Sequence, residues 1–269
     1  MIQRGGLREG LQFLDKRLSK WKGIRVSSLF WAALAGALSF GILGQGMGLF
    51  NKFSWHDDIF SLFMTGTAIE LGRWMLHVLA ETEKWFYGNG YFSLPVVNGM
   101  ISLLCIGLSA GLMINYFQIR SRKLSALSGG IMTVFPVVTA LFGFMYTVHY
   151  YMLALLMITA GGIMICADGV WWKKTVGILV CGCAIGVYQA FLPVLLMIVL
   201  MDQILFLTRR EEKLNIWAKR LLVRALCVAG AMGVYLAGNE YFLRLKNLQL
   251  DGYLGIDQMG VASLWIYLE

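Results

Sequence analysis

With 269 residues, 58% of them hydrophobic and only 14% charged, and a mean hydropathy of +0.68, this chain is too apolar for a soluble domain of its length. Three prolines and the lack of strand-like alternation make its long apolar runs helices, which satisfy their own backbone in lipid. The net charge of +8 would suit a nucleic-acid partner, but the placement of the charges assigns them to the membrane instead, so no nucleic acid is expected.

The chain starts with a basic segment, 1–26, that holds seven of the 23 Lys and Arg. Leu7, Leu11, Leu14, Leu18 and Trp21 recur there at helical spacing, with Arg8, Lys16, Arg17 and Lys20 off that face. This pattern predicts an amphipathic helix on an anionic cytoplasmic leaflet. The polar N-terminus and a long first apolar run without a processing site argue against a cleavable signal.

Seven spans follow, at about Ser27–Phe50, Leu94–Phe117, Ser125–Phe144, Tyr151–Val170, Thr175–Val187, Phe191–Phe206 and Leu221–Gly238. Most reach the roughly 20 residues that a hydrocarbon core requires. The fifth and sixth are short and form one apolar stretch broken by Tyr188, Gln189 and Pro193, so a single tilted helix competes with a hairpin. Sidedness favours the hairpin, which leaves eighteen of the 23 basic residues on the cytoplasmic face; one span would move six of them outside. Residues 1–269 thus read as a single transmembrane domain in the cytoplasmic membrane, multi-pass, with its N-terminus inside. The five cysteines are scattered singly; Cys181 and Cys183 match neither a zinc nor a redox spacing and read as helix-packing residues.

The first external loop, 51–93, is too long for a plain connection. It opens with "SWHDDIF", which sets Asp57 and Asp58 beside the membrane, where idle charges are costly. Such a carboxylate can accept a proton from a hydroxyl nucleophile. With His56 the pair also offers metal-ligand types, though without diagnostic spacing, so the metal is unknown and a divalent cation is left open. The middle of the loop, "TAIELGRWMLHVLAETEKWF", has helical periodicity, with Glu70, Arg73, Trp74, His77 and Glu81 on one side and Leu71, Met75, Val78 and Leu79 on another. It predicts an interfacial helix, apolar side to lipid. The plainer reading is a polar side that meets only water. An arginine at headgroup level is nevertheless suited to gripping a phosphate through paired bonds.

Further along, His149, Tyr150 and Tyr151 form an outer turn whose aromatics read first as interface anchors. Tyr188 and Gln189 in "VYQAFLP" either line an external cavity or shape a helix turn. Asp168 and Asp202 lie near inner span ends, with Lys173, Lys174 and Arg209 as expected ion partners. Neither a Walker motif nor a dinucleotide fingerprint occurs, so an enzyme built this way needs a substrate that already lives in the membrane.

Taken in order, "HDDIF", "ELGRWM" and "GVYQAFLPVL" resemble the type II membrane glucosyltransferases of the Gtr serotype-conversion group, over roughly Trp55 to Asp202. The resemblance implies a GT-C-like enzyme, which makes the roughly seven spans read above an all-α polytopic bundle of that class. It implies an inverting enzyme that moves a sugar, glucose by analogy, from a polyprenyl-phosphate carrier to an external surface-glycan acceptor. It places the catalytic carboxylate at Asp57 or Asp58. Around it, substrate contacts are expected at Arg73, Glu70, His77, His149, Tyr188 and Gln189. Members are typically longer, and this chain stops at Glu269 in or just before another apolar run, so it is expected to be an N-terminal part of a longer protein or an unusually short member. The rival reading is a transporter or flippase of lipid-linked sugars, which predicts midplane charges and an internal repeat. Neither is evident in the sequence, where the acids gather at one face. A structural scaffold subunit is a third.

Overall fold

The computed structural model describes residues 27–51, 68–88, 93–169, 171–209 and 214–251. The N-terminal amphipathic segment and the Asp57–Asp58 pair lie outside them. Among the described residues every regular element is a helix: α1 Ser28–Phe50, α2 Trp74–Tyr87, α3 Pro95–Tyr116, α4 Arg122–Val134, α5 Pro136–Phe142, α6 Val148–Cys166, α7 Trp171–Val187, α8 Leu192–Arg209 and α9 Leu214–Lys246. The expected apolar segments are all there. Five helices are long and apolar enough to cross a membrane by length and composition, and the bent α4–α5 pair makes a sixth. The remaining one, α7, has 17 residues, about 26 Å of helix.

The bend in α4–α5 measures 51° and has a local cause. Pro136 stands at the first position of α5, and it pushes Phe135 into an extended conformation (φ −61°, ψ 136°). Gln45 of α1 spans the break, its Nε2 donating to the Thr133 carbonyl at 3.1 Å and to Thr139 Oγ1 at 3.0 Å. A carbonyl left without its helical partner at the break is thereby satisfied inside the bundle.

Helices pack in a row, α4 on α1, α1 on α3, α3 on α6, α6 on α7 and α7 on α9, with α8 against α6 and α9. Lipid tails give no hydrophobic drive between helices, so small residues that admit a close approach hold the row together. A side chain at Gly129 would strike the Ala33 carbonyl, and one at Gly36 the Ala126 carbonyl. Lipid-facing positions are apolar and exposed, as at Leu43, Leu196 and Leu226. All five cysteines are free thiols, four of them buried.

The α7–α8 hairpin is real. Arg220 touches Asp168, just before α7, and Asp202, well into α8, at 2.7 Å and 3.2 Å. One continuous helix would hold those carboxylates about 50 Å apart. The chain reverses at Tyr188, whose backbone is extended (φ −158°, ψ 118°), and at the 3-10 turn Gln189–Phe191.

The same contacts correct the expected ion partners of the two aspartates. Lys174 instead caps the end of α6, its Nζ donating to the Ile165 and Ala167 carbonyls. The cations are Arg220 and Arg224 of α9; Arg224 is only 2% exposed, with its Nε 2.8 Å from Asp202 Oδ2. Tyr116 and Gln203 donate to the same carboxylate at 2.7 Å and 2.9 Å. The charges gather at one end of the helices, where Asp168 and Asp202 were expected, and Asp202 and Arg224 are buried there. They neutralise each other in one compact group. At Asp168, burial pushes the carboxyl up, but the two guanidiniums outweigh it and hold it below the usual carboxylate range.

Candidate active site

At the opposite end of the bundle from that cluster, the turn 68–72 delivers the chain into α2. Gly72 N donates to the Ile69 carbonyl at 2.8 Å and Arg73 N to the Ala68 carbonyl at 3.0 Å. The turn closes through Gly72 at φ +71°, a region L side chains rarely adopt. A Cβ there would also meet Gln189 Nε2 at 2.6 Å and the Tyr235 hydroxyl at 2.7 Å.

Those two groups clasp the turn from outside. Gln189 Nε2 donates to the Leu71 carbonyl at 2.7 Å and to the Tyr235 hydroxyl at 3.2 Å. Trp74, the next anchor, fits a slot whose walls are Gly186 of α7 and Gly238 of α9. Its Nε1 donates to the Tyr235 carbonyl at 3.1 Å, and its ring stacks on Phe242 with centroids 5.7 Å apart. With both neighbours pinned, Arg73 has little freedom of direction.

Its guanidinium lies 4.8 Å over the Tyr188 ring and donates to the Tyr151 hydroxyl at 3.3 Å. The two tyrosine rings are 4.9 Å apart and form one aromatic wall. Arg73 Nε is buried and has no acceptor, and among the described residues no carboxylate pairs with this arginine. A cation held by ring faces with an unengaged N–H is arranged to accept an anion.

The other expected contacts are placed as follows. Tyr188 and Gln189 converge on Arg73, Tyr188 by its face and Gln189 through the turn. Glu70 is exposed in the turn before α2, where its carbonyl accepts from Asp251 N at 2.9 Å. His149 is buried at the start of α6, with Nε2 3.6 Å from Glu83 Oε2 and its ring 3.9 Å from that of Tyr150. His77 is buried one turn along α2 from Arg73, edge-on to Phe242. Asp57 and Asp58 fall outside the described residues, and among those that are described no three His, Cys, Asp or Glu side chains gather as metal ligands.

Two expectations change. The loop helix begins only at Trp74, and Trp74, Leu76, His77 and Ala80 turn inward, so Trp74 and His77 do not share an outward polar side with Glu70 and Glu81. The reason is the glycine slot, which accepts an indole that the periodicity grouped with the polar side. His149, Tyr150 and Tyr151 are likewise buried at 8%, 4% and 6% exposure, rather than standing as interface anchors. Tyr151, Tyr235 and Glu83 were not among the expected site residues. Only their proximity across α6, α9 and α2 reveals them.

Gly72→Ala tests the clasp. The αL strain alone costs about 1–2 kcal/mol. Gly88, at φ +77° with open space around it, carries the same strain without the collision. Gly72→Ala should therefore lower the melting temperature more than Gly88→Ala and should also raise the KM for donor, which Gly88→Ala should leave unchanged.

A polytopic helical membrane protein with a caged guanidinium at one end of its bundle is the class these features define. Residues 46–268 match the family described as Glucosyl transferase GtrII, and the chain belongs to that family. It is accordingly a membrane glycosyltransferase, with a sugar donor and an acceptor. No curated protein and no solved structure matches it.

Proposed function

We propose that this enzyme takes glucose from a polyprenyl-phosphate carrier and transfers it to a surface-glycan hydroxyl on the outer side of the cytoplasmic membrane, and that Arg73 grips the carrier's phosphate. The observation that carries this reading is the Arg73 guanidinium, backed by Tyr188 and Tyr151 and lacking a carboxylate partner among the described residues. A lipid-borne phosphate reaches that level of the bundle without leaving the membrane.

In the reaction, the acceptor oxygen attacks the anomeric carbon from the face opposite the phosphate. Its proton passes to Asp57 or Asp58 as the new C–O bond forms. The bond from the anomeric carbon to the phosphate oxygen breaks, and the electron pair leaves with the polyprenyl phosphate. Arg73 stabilises the charge that develops there. Gln189 acts through the Leu71 turn, and Tyr188 supplies the ring under the guanidinium.

Bonds to charged groups contribute about 1.5–3 kcal/mol, so Arg73→Ala should raise the donor KM roughly 10- to 150-fold. Arg73→Lys keeps the charge but not the paired geometry, and it should fall in between. Wild-type donor KM in Arg73→Ala would make this arginine an ordinary anchor. Orientation has its own check. A cysteine replacing Asn247, after α9, should be labelled in intact cells, and one replacing Lys123, in the first turn of α4, only after permeabilisation; the opposite pattern would turn the protein over.

A further inference from the structure

Beside the Arg73 turn, α2 and the end of α9 flank an open cleft of about 480 Å³ that the donor chemistry does not use. His77 lines it, only 8% exposed and set edge-on against Phe242. Burial holds this imidazole below its ordinary range, against Glu81 and with help from Lys246 and Lys84, so it is neutral near pH 7 and both donates and accepts. Glu81 and Lys246 face the same space, one carboxylate and one ammonium. Together they leave the cleft without net charge, which suits neither a phosphate nor a cation. Trp85 also lines the cleft, 80% exposed, with its ring steadied edge-on by Phe86 at 4.7 Å. A flat apolar face among neutral and balanced polar groups matches a pyranose ring, which presents C–H bonds on one side and hydroxyls at its rim. The position fits too, since His77 stands one helical turn from Arg73, about 6 Å along the axis.

We propose that the α2–α9 cleft is the acceptor subsite, holding a neutral hexopyranosyl unit stacked on Trp85, with His77, Glu81 and Lys246 bonded to its hydroxyls. The assignment rests on the reading of the acceptor as a glycan, and it places that glycan along α2 with its reacting hydroxyl toward Arg73.

The test is saturation-transfer NMR on the full chain in nanodiscs, probed with neutral gluco-, galacto- and rhamno-oligosaccharides. At least one of these should receive saturation at its ring protons, in the wild type and equally in Asp57→Asn/Asp58→Asn. Trp85→Ala, at an exposed position, should weaken binding about tenfold, and Trp85→Phe should restore part of it. His77→Ala should weaken binding as well. In transfer assays Trp85→Ala should raise the acceptor KM and leave the donor KM alone. Lack of signal from every oligosaccharide, or unchanged binding in Trp85→Ala and His77→Ala, overturns the subsite. Saccharide binding without any transfer from polyprenyl-phosphate glucose would instead sink the donor reading and leave the cleft standing.

Discussion

Asp57→Asn/Asp58→Asn is expected to insert and accumulate like the wild type and yet transfer sugar about 10²–10⁴-fold more slowly, the usual cost of losing a general base. Asparagine keeps the shape of aspartate and removes only its basicity. A solvated loop charge with no catalytic task would change stability by about 0.5 kcal/mol or less and leave the rate alone. Of the single variants, one should account for nearly the whole loss, with Asp57 favoured slightly over Asp58, and the other should be milder. Radiolabelled transfer from polyprenyl phosphate separates these outcomes. Wild-type rates in both single variants and the double one would remove the pair from the mechanism.

The largest effect on stability belongs to the other end of the bundle. Arg224 is almost wholly buried in α9, between Asp202 and the Cys166 carbonyl, to which its Nη2 donates at 2.7 Å. Arg224→Met leaves the buried Asp202 short of a cation, a loss of about 3–5 kcal/mol when a buried pair is broken from one side. Arg224→Met/Asp202→Met removes both charges at once and should recover most of that loss. Thermal unfolding in detergent reads both. If the double variant melts no higher than the single one, the ion pair is not what holds α9 to α8. Donor and acceptor KM should stay unchanged in whatever fraction remains folded, because the cluster and Arg73 lie at opposite ends.

Much of this architecture was legible because hydropathy reports directly on lipid. The apolar segments were found to within about four residues, except that α9 extends about two turns beyond its expected span at each end, and the basic residues chose the hairpin that the Arg220 contacts establish. Gly72-Arg73-Trp74 and Tyr188-Gln189 were both placed at the outer level of the bundle by sidedness, but their contact appears only in the fold, where Gln189 donates to the Leu71 carbonyl. What periodicity cannot say is which face of a helix finds a partner. Periodicity put Trp74 on the polar side of the loop helix, and only Gly186 and Gly238 supply its inward slot. Tyr151 passed for a belt aromatic because its depth was plain and its neighbour Arg73, 78 residues away, was not. Arg220 and Arg224 entered the sidedness count only as cytoplasmic charges, and their pairing with Asp168, 52 and 56 residues away, depends on how α9 crosses the α6–α7 turn.

The central claim is that the donor is a polyprenyl-phosphate sugar held at Arg73. The most direct measurement gives the purified chain, in a bilayer, labelled glucose on polyprenyl phosphate or on a nucleotide, each with a glycan acceptor, and follows the label. Transfer is expected from the lipid carrier alone, with the donor KM raised in Arg73→Ala. Label reaching the acceptor from the nucleotide sugar, or a lipid-linked donor used equally well without Arg73, would contradict it.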